Sequence, residues 1–313
     1  MRSKELQASS RRIVVTGGAG FIGSHLVDAL ATGGCTVTVF DDLSSGTLKN
    51  IQPHLESDKV CFAKGDIRNE RQVQESLRNA DIVFHLAALT SVSYSIEKPM
   101  LTNEVNVGGT RNLLEASIRR NVKRFVYVSS CAVYGNPQYV PIDENHPMSP
   151  YADSKVEAEE HCKEYQREHG LKTVILRLFN VYGPRQTYNL YSGVISKFIE
   201  ELRKGKRPLI YGDGQQTRDF VHVSDVVQAL LLSASADEAV GQAFNIGSGD
   251  SVTINRLYQL IREKLRVKTE PVYEEPRLGE IKHSLAEISK ARQILGYQPA
   301  TILEKGLESL IGG

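Results

Sequence analysis

Short runs of β-branched and aromatic residues recur along the first half of the chain. Between them lie longer stretches in which apolar residues return every three or four positions. Arg12–Thr16 is the first such run. A glycine-rich stretch follows, Gly17-Gly18-Ala19-Gly20-Phe21-Ile22-Gly23, and a helical pattern continues to about Ala31. The pattern predicts further strands at Thr36–Phe40, Val60–Ala63 and Asp81–Leu86, with a polar helix around Glu70–Arg78. It then predicts a helix over Pro99–Asn121, a buried strand at Arg124–Ser129, a charged amphipathic helix over Pro150–Gly170 and an apolar strand at Thr173–Leu178. Strands alternating with helices imply an α/β fold with a parallel sheet covered on both faces.

After Asn180 the rhythm changes. Loops rich in Gly, Pro and Arg appear, with helices expected near Val194–Lys204, Asp225–Ala234, Ile254–Leu265 and Leu285–Leu295. These residues predict a smaller, discontinuous second domain, the chain returning to the sheet near Arg218–Val223 and Ala243–Ile246. The expected division is 11–180 plus about 218–247 for the first domain and about 181–217 plus 248–313 for the second. Residues 1–10 read as a polar extension. No internal repeat or low-complexity segment stands out.

A length of 313 residues suffices for such a division, and a formal net charge of +1 offers no footprint for nucleic acid or an anionic membrane surface. Cys35, Cys61, Cys131 and Cys162 form no C-x-x-C pair and have no His at metal-ligand spacing, so they read as reduced thiols and no metal is expected. Met1–Arg12 lacks the apolar core of a signal peptide, and no apolar run is long enough to span a bilayer. The expected location is the cytoplasm.

Gly17, Gly20 and Gly23 fall between a strand and a helix, the context in which a glycine turn binds a dinucleotide. The first glycine permits the tight turn, the second a close approach of backbone to a pyrophosphate, and the third helix–strand packing. The helix N-terminus then faces the phosphates, as in a Rossmann-type doubly wound sheet. The second strand ends in Asp41, whose carboxylate suits adenosine ribose hydroxyls and repels a 2′-phosphate. No arginine follows in Asp42-Leu43-Ser44-Ser45-Gly46, so the expected cofactor is NAD. Asp66 and Ile67, after the third strand, suit either the flanks of an adenine or an ordinary turn.

Ser149-Pro150-Tyr151-Ala152-Asp153-Ser154-Lys155 opens a helix, with Ser149 suited to the N-cap and Pro150 to the first helical position. Tyr151 and Lys155 are four apart and share a face. An ammonium about 4 Å from a phenolate, at an effective dielectric of about 20, favours it by about 4 kcal/mol, or roughly three pK units. That brings a phenol towards neutrality and makes it usable as a base. In isolation such a pair is usually a solvated helical contact. Placed after a dinucleotide turn and a strand ending Val128-Ser129-Ser130, it reads as catalytic.

Taken together, GGAGFIG, the Asp41–Gly46 segment, Gly65-Asp66-Ile67, His85-Leu86-Ala87-Ala88, Asn106-Val107, SSCAVYG, SPYADSK, RLFNVYGPR from Arg177 to Arg185, and Arg218–Val223 resemble the extended short-chain dehydrogenase/reductases. Within these the chain is most similar to the nucleotide-sugar 4-epimerases of the UDP-galactose 4-epimerase type, from about Arg12 to near the C-terminus. The resemblance implies a catalytic set of Tyr151 as base, Lys155 on the nicotinamide ribose and Ser130 on the sugar 4-hydroxyl. It implies a dinucleotide site of Gly17, Gly20, Phe21, Ile22, Gly23, Asp41, Asp42, Leu43, Ser45, Gly46, Asp66, Ile67, Leu86, Ala87, Ala88, Asn106 and Phe179. For a UDP-sugar substrate it implies Asn180 and Val194, the backbone of Leu209 to Tyr211 on the uracil, Arg218 and Arg277 on the diphosphate, Glu280 on the ribose, and Ser284 as a wall of the sugar pocket. A small residue at that wall is associated with tolerance of an N-acetyl group. Taken alone, Arg218, Arg277 and Ser284 read equally as surface residues. A homodimer, through the helices near Pro99–Asn121 and Pro150–Gly170, is a further implication.

Related dehydratases carry an Asp–Glu pair, and decarboxylases the Glu, where this chain has Cys131 and Ala132, which cannot do that acid–base work. Two other readings stand beside the epimerase: a glucuronate epimerase, some of which resemble this chain but carry an Arg where Thr187 stands, and a catalytically idle NAD-binding regulator. The latter class typically lacks the Tyr/Lys pair.

Overall fold

The computed structural model describes residues 11–90, 92–149, 154–186, 193–276, 279 and 281–312. Strands β1 (Arg12–Thr16), β2 (Thr36–Asp41), β3 (Val60–Lys64), β4 (Ile82–His85), β5 (Arg124–Ser130) and β6 (Thr173–Leu178) lie in one sheet with the strand Ala243–Ile246. All the pairings are parallel, and the order across the sheet is Ala243–Ile246, β6, β5, β4, β1, β2, β3. The middles of the strands are largely apolar because both faces of the sheet are covered. Ile13 and Val15 of β1 enter one apolar cluster and Val14 the other; Val126 and Val128 of β5 oppose Phe125 and Tyr127 in the same way. The first cluster is closed by the helices Phe21–Thr32 and Val223–Ser235, the second by Gly109–Arg119 and Ser154–His169. Each large apolar side chain so buried contributes about 1.5–3 kcal/mol.

From β1 the chain winds outwards through β2 and β3, then returns to the other side of β1 with β4. The connections leaving the carboxyl ends of β1 and β4 therefore diverge, and the crevice between them is the natural ligand site of such a sheet. A third apolar cluster lies apart from the sheet. Phe198 and Leu202 of the helix Val194–Arg203 pack there with Leu257 and Ile261 of Ile254–Leu265 and with Leu307.

Three expectations are corrected. The helix expected over Pro99–Asn121 is divided into Pro99–Asn103, a π-helical turn at Glu104–Gly108, and Gly109–Arg119. The wider turn serves two inward contacts: Asn106 grips the backbone of Leu89, and Gly109 packs so closely on Ile67 that a Cβ there would lie 2.5 Å from its side chain. The segment near Arg218–Val223 does not rejoin the main sheet. Phe220–His222 pairs in parallel with Asn180–Tyr182, and Thr217–Arg218 pairs antiparallel with Val252–Thr253. The position beside β6 is taken by Ala243–Ile246. Finally, the helix expected over Leu285–Leu295 begins only at Ser289 and continues as a π-helical turn at Ala291–Leu295. Leu285–Glu287 is extended because its backbone exchanges hydrogen bonds with Ile142 on both sides, while Ala286 donates to the Asp219 carboxylate.

Of the helix expected over Pro150–Gly170, Ser154–His169 is described, and Pro150, Tyr151, Ala152 and Asp153 lie outside the described residues. Among the described residues no helix is long and apolar enough to cross a membrane.

Candidate active site

A cavity of about 530 Å³ opens at the carboxyl ends of β1 to β6. That is within the range of about 300–1,000 Å³ typical of small-molecule sites. One wall is the turn after β1. Gly17 has φ +68°, and a Cβ there would lie 2.8 Å from the backbone nitrogen of Ala87, so only glycine lets the turns after β1 and β4 meet. At Gly23 a Cβ would overlap the Gly17 carbonyl oxygen, which seats the first turn of Phe21–Thr32 against the loop. Gly20 caps that helix without a side-chain hydrogen bond. Gly20, Phe21, Ile22 and Gly23 line the cavity, and first-turn amides have no intrahelical acceptor. The cradle thus fits an anionic diphosphate.

At the end of β2, Asp41 accepts hydrogen bonds from Ala19 N at 3.0 Å and Leu43 N at 2.8 Å. Burial pushes its carboxyl above the ordinary range, while these two donors pull it back. Each oxygen keeps acceptor capacity for a hydroxyl. Asp42, Ser45, Asp66 and Ile67 line the same end. No arginine stands between Asp42 and Gly46, yet Arg68 reaches this cavity from the turn after β3. Its guanidinium is held by Asp66, with Nη2 2.5 Å and Nε 2.9 Å from Oδ2, and that contact keeps the Asp66 carboxyl below its usual range. The pairing cancels the charge Arg68 would offer a 2′-phosphate.

Leu86, Ala87 and Ala88 line the middle of the cavity. The amides of Leu86 and Ala87 donate to Thr16 Oγ1, whose hydroxyl faces His85 Nδ1 at 2.8 Å. His85 Nε2 lies 2.9 Å from Thr110 Oγ1, which itself donates to Asn106 O. Since the Thr110 proton is committed, Nε2 carries the imidazole proton and Nδ1 accepts from Thr16. Burial, with Lys155 nearby, lowers His85 to about 3 and keeps it neutral.

At the other end, Val128, Ser129, Ser130, Ala132 and Lys155 form the wall. Lys155 is buried, donates through Nζ to Val128 O at 3.0 Å and lies 5.0 Å from the centre of the Tyr127 ring. Ser130 Oγ accepts from Ala132 N at 3.2 Å, capping the short turn Cys131–Tyr134. Burial pushes the Cys131 thiol up to about 12, which removes it as a nucleophile at neutral pH. Tyr151, Arg277 and Glu280 lie outside the described residues.

The remaining expected residues that are described do not line the cavity. Leu43 packs on the apolar core, and Gly46 presses on Ala19. Asn106 is a support rather than a wall, bonded to Leu89 and to Ser154 Oγ. Phe179 is buried, and its N–H donates to Ile246 O. Asn180 N donates to Asp219 O. Val194 opens its helix, and Leu209 and Tyr211 lie in a strand paired with Val272–Glu274. Arg218 and Ser284 are brought together, because the Thr217 carbonyl accepts from Arg218 Nη1 at 2.9 Å and from Ser284 N at 3.1 Å. Sequence reasoning missed Arg68, Tyr94, Ser95, Leu101 and Val105 as lining residues. Leu101 and Val105, four apart on a helix, were open to detection as an apolar face; Tyr94 and Ser95 carry no such signal. Among the described residues no group of His, Cys, Asp and Glu is placed to hold a metal ion.

The model of the NAD-dependent epimerase/dehydratase family matches residues 13–247. The chain belongs to that family. It is accordingly an enzyme whose cofactor is NAD, and the diphosphate cradle and Asp41 suit that molecule. The chain is 40% identical, over 96% of its length and 97% of the other's, to a putative UDP-glucose 4-epimerase of Methanocaldococcus jannaschii. Among solved structures it resembles the UDP-glucose 4-epimerase of Thermotoga maritima with UDP-glucose, at TM-score 0.90 and 40% identity, covering 96% of this chain and 97% of that one. It also resembles the UDP-N-acetylglucosamine 4-epimerase of Methanobrevibacter ruminantium in complex with UDP-N-acetylmuramic acid, at TM-score 0.92 and 38% identity, covering 97% and 98%.

Proposed function

We propose that this enzyme interconverts a UDP-hexose with its C4 epimer on NAD that stays bound through the cycle, as a homodimer. The observation that carries the reading is the shared cavity: Lys155 and Ser130 stand at one end, the diphosphate cradle and Asp41 at the other, and Cys131 and Ala132 replace the acids of the dehydratases. The chemistry supplied by NAD when bound is acceptance of the sugar's C4 hydrogen with its electron pair, and its later return to the opposite face. Tyr151 takes the 4-hydroxyl proton and gives it back, so no net proton or reductant is consumed. Lys155, four residues on in the sequence, favours the phenolate and holds the nicotinamide ribose. Ser130 hydrogen-bonds the reacting oxygen. Arg218 and Arg277 hold the diphosphate while the 4-keto sugar turns over, a task suited to guanidinium forks. Asn180, Val194, the backbone of Leu209 to Tyr211, and Glu280 complete the nucleotide-sugar site. Ser284, small and buried beside Arg218, leaves room for an acetamido group at C2, so UDP-N-acetylglucosamine and UDP-N-acetylgalactosamine are substrates alongside the plain hexoses.

The test is product analysis with UDP-galactose, UDP-N-acetylgalactosamine and UDP-glucuronate, no reductant added. Both galacto sugars are expected to give their gluco epimers. Tyr151→Phe is expected to lower turnover by about 10²–10⁴-fold, the range of general acid–base contributions, with NAD retained. A 4-keto-6-deoxy or pentose product, conversion of the glucuronate alone, or a Tyr151→Phe variant of near-normal rate overturns the reading.

A further inference from the structure

Behind the Ser130–Lys155 end of the cavity lies a charged network that the proposed chemistry does not use. Glu159 and Arg177 are 0% and 1% exposed. Arg177 Nε lies 3.0 Å from Glu159 Oε1 and Nη2 lies 2.7 Å from Oε2, a two-pronged pair. Ser129 Oγ donates to Glu159 Oε1 at 2.5 Å. Arg177 Nη1 donates to Tyr134 Oη at 2.9 Å, and Tyr134 donates on to Asn245 Oδ1 at 2.6 Å. A buried ion pair is weak support for stability, since desolvation of both charges opposes their attraction and an apolar pair of similar volume often does as well. What this pair does have is connectivity. Ser129 precedes Ser130, and Tyr134 closes the turn that follows it, so the backbone on both sides of Ser130 is tied to one guanidinium, directly or through Glu159. Glu159 is also four residues after Lys155 on the same helix, and Lys155 donates to Val128 O, next to Ser129. Two adjacent residues of β5 are therefore held by two adjacent turns of the helix that follows Tyr151.

We propose that Ser129, Glu159 and Arg177 are positioning residues for the reaction, fixing the end of β5 and the Lys155 helix in one register at the nicotinamide end of the site. Glu159 and Arg177 stand behind the cavity, and Ser129 lines its wall with its hydroxyl committed to Glu159. The inference rests on the epimerase reading for its kinetic test but has a second readout that does not.

The most direct variant is Ser129→Ala, which leaves the Glu159–Arg177 pair intact. It is expected to keep its NAD content and the KM for the UDP-sugar, while kcat falls about tenfold, because small misplacements of reacting groups cost up to about 10²-fold. The double variant Glu159→Gln with Arg177→Met removes the charges together, so that neither is left buried alone. It is expected to fold, bind NAD and show the same loss in kcat. The sugar-independent readout is the rate at which cyanoborohydride reduces the bound NAD, expected to change at least threefold in both variants. A parent enzyme that epimerises no UDP-sugar defeats the epimerase reading alone and leaves the cyanoborohydride comparison to decide the network. Folded variants with parental kcat and parental reduction rates overturn the proposal. So does a loss of melting temperature with full activity in the folded fraction, since that is the signature of a purely structural pair.

Discussion

Where the turns after β1 and β4 meet, the cavity wall is main chain. The Gly17 turn, the first amides of Phe21–Thr32 and the Leu86–Ala88 segment meet at distances no side chain could share. Beyond β6, around Arg218 and Ser284, the structure is held differently. Asp219 is 0% exposed, and its carboxylate accepts from Ser248 N, Ser248 Oγ, Gly249 N and Ala286 N, the last of these 67 residues along the chain. One region is shaped by steric rules that act over a few residues. The other is assembled by one buried carboxylate that draws three distant loops together. The first kind of region tolerates no added atom; the second tolerates no lost acceptor.

The strongest test of that contrast is Gly23→Ala. A methyl group there overlaps the Gly17 carbonyl, and the obstacle is backbone on both sides. The helix must leave its turn, so NAD in extracts of the purified protein is expected to fall to background, with a destabilisation of about 4–5 kcal/mol, the scale reserved for strained or overpacked sites. A Gly23→Ala enzyme that still carries a full complement of NAD would show that the turn is not the rigid element.

Next in size is Asp219→Ala. The buried amide of Ala286 loses its acceptor at about 1–3 kcal/mol, and the amides of Ser248 and Gly249, nearer to solvent, lose theirs at less, so a net loss of about 2–4 kcal/mol is expected. Burial pushes this carboxyl above its ordinary range and the hydrogen bonds pull it down, which is why Asp219→Asn, keeping an acceptor oxygen but adding two donors, is expected to recover only part of the loss. The informative measurement is hydrogen exchange. The amides of Ser248, Gly249 and Ala286 should exchange faster while NAD content holds. Equal loss of NAD would mean that the two regions are not separately supported.

The same contrast explains what could be read from the chain in advance. The strand–turn–helix at Arg12–Thr32 and Asp41 follow from local spacing, whereas the segment Leu86–Ala88 follows only from the family resemblance; all three line one cavity. The strands of the sheet were legible for the same reason, since unbroken apolar runs have few alternatives. The segment Arg218–Val223 looks like one more sheet strand by composition, and Leu285–Leu295 looks helical by period. Both are overruled by contacts with residues far along the chain, Asn180–Tyr182 and Val252–Thr253 in the first case and Ile142 in the second. Arg68 was passed over because its relevance depends on β3 lying beside β2, a fact of topology and not of spacing. The π-helical turn at Glu104–Gly108 had no local signal strong enough to set against a good helical period.

The smallest expected effect concerns acid, and it asks whether the main-chain wall is also the more acid-sensitive. His85 is neutral, with Nε2–H given to Thr110 and Nδ1 accepting from Thr16. A second proton on Nδ1 would face the Thr16 hydroxyl as donor against donor and would charge a group that is 1% exposed. Its folded pKa is lowered to about 3, from an ordinary imidazole value of 6.5. The sign follows: below 6.5 the unfolded chain binds a proton that the native state refuses, so stability falls as pH is lowered, by about 1.4 kcal/mol per unit, until the folded pKa is reached. His222 is also lowered by burial but is only half-buried, with Asp225 opposing the shift and His25 adding to it. Urea unfolding of the parent chain, His85→Gln and His222→Gln at pH 6.5, 6.0 and 5.5, roughly the window above carboxylate titration, separates the two. His85→Gln is expected to remove from the pH slope about half a proton at pH 6.5, rising to about nine tenths at pH 5.5, and His222→Gln a smaller fraction. If both variants kept the parental slope, neither imidazole would be excluded from protonation in the native state, and the donor–acceptor chain through Thr16 and Thr110 would not be what keeps His85 neutral.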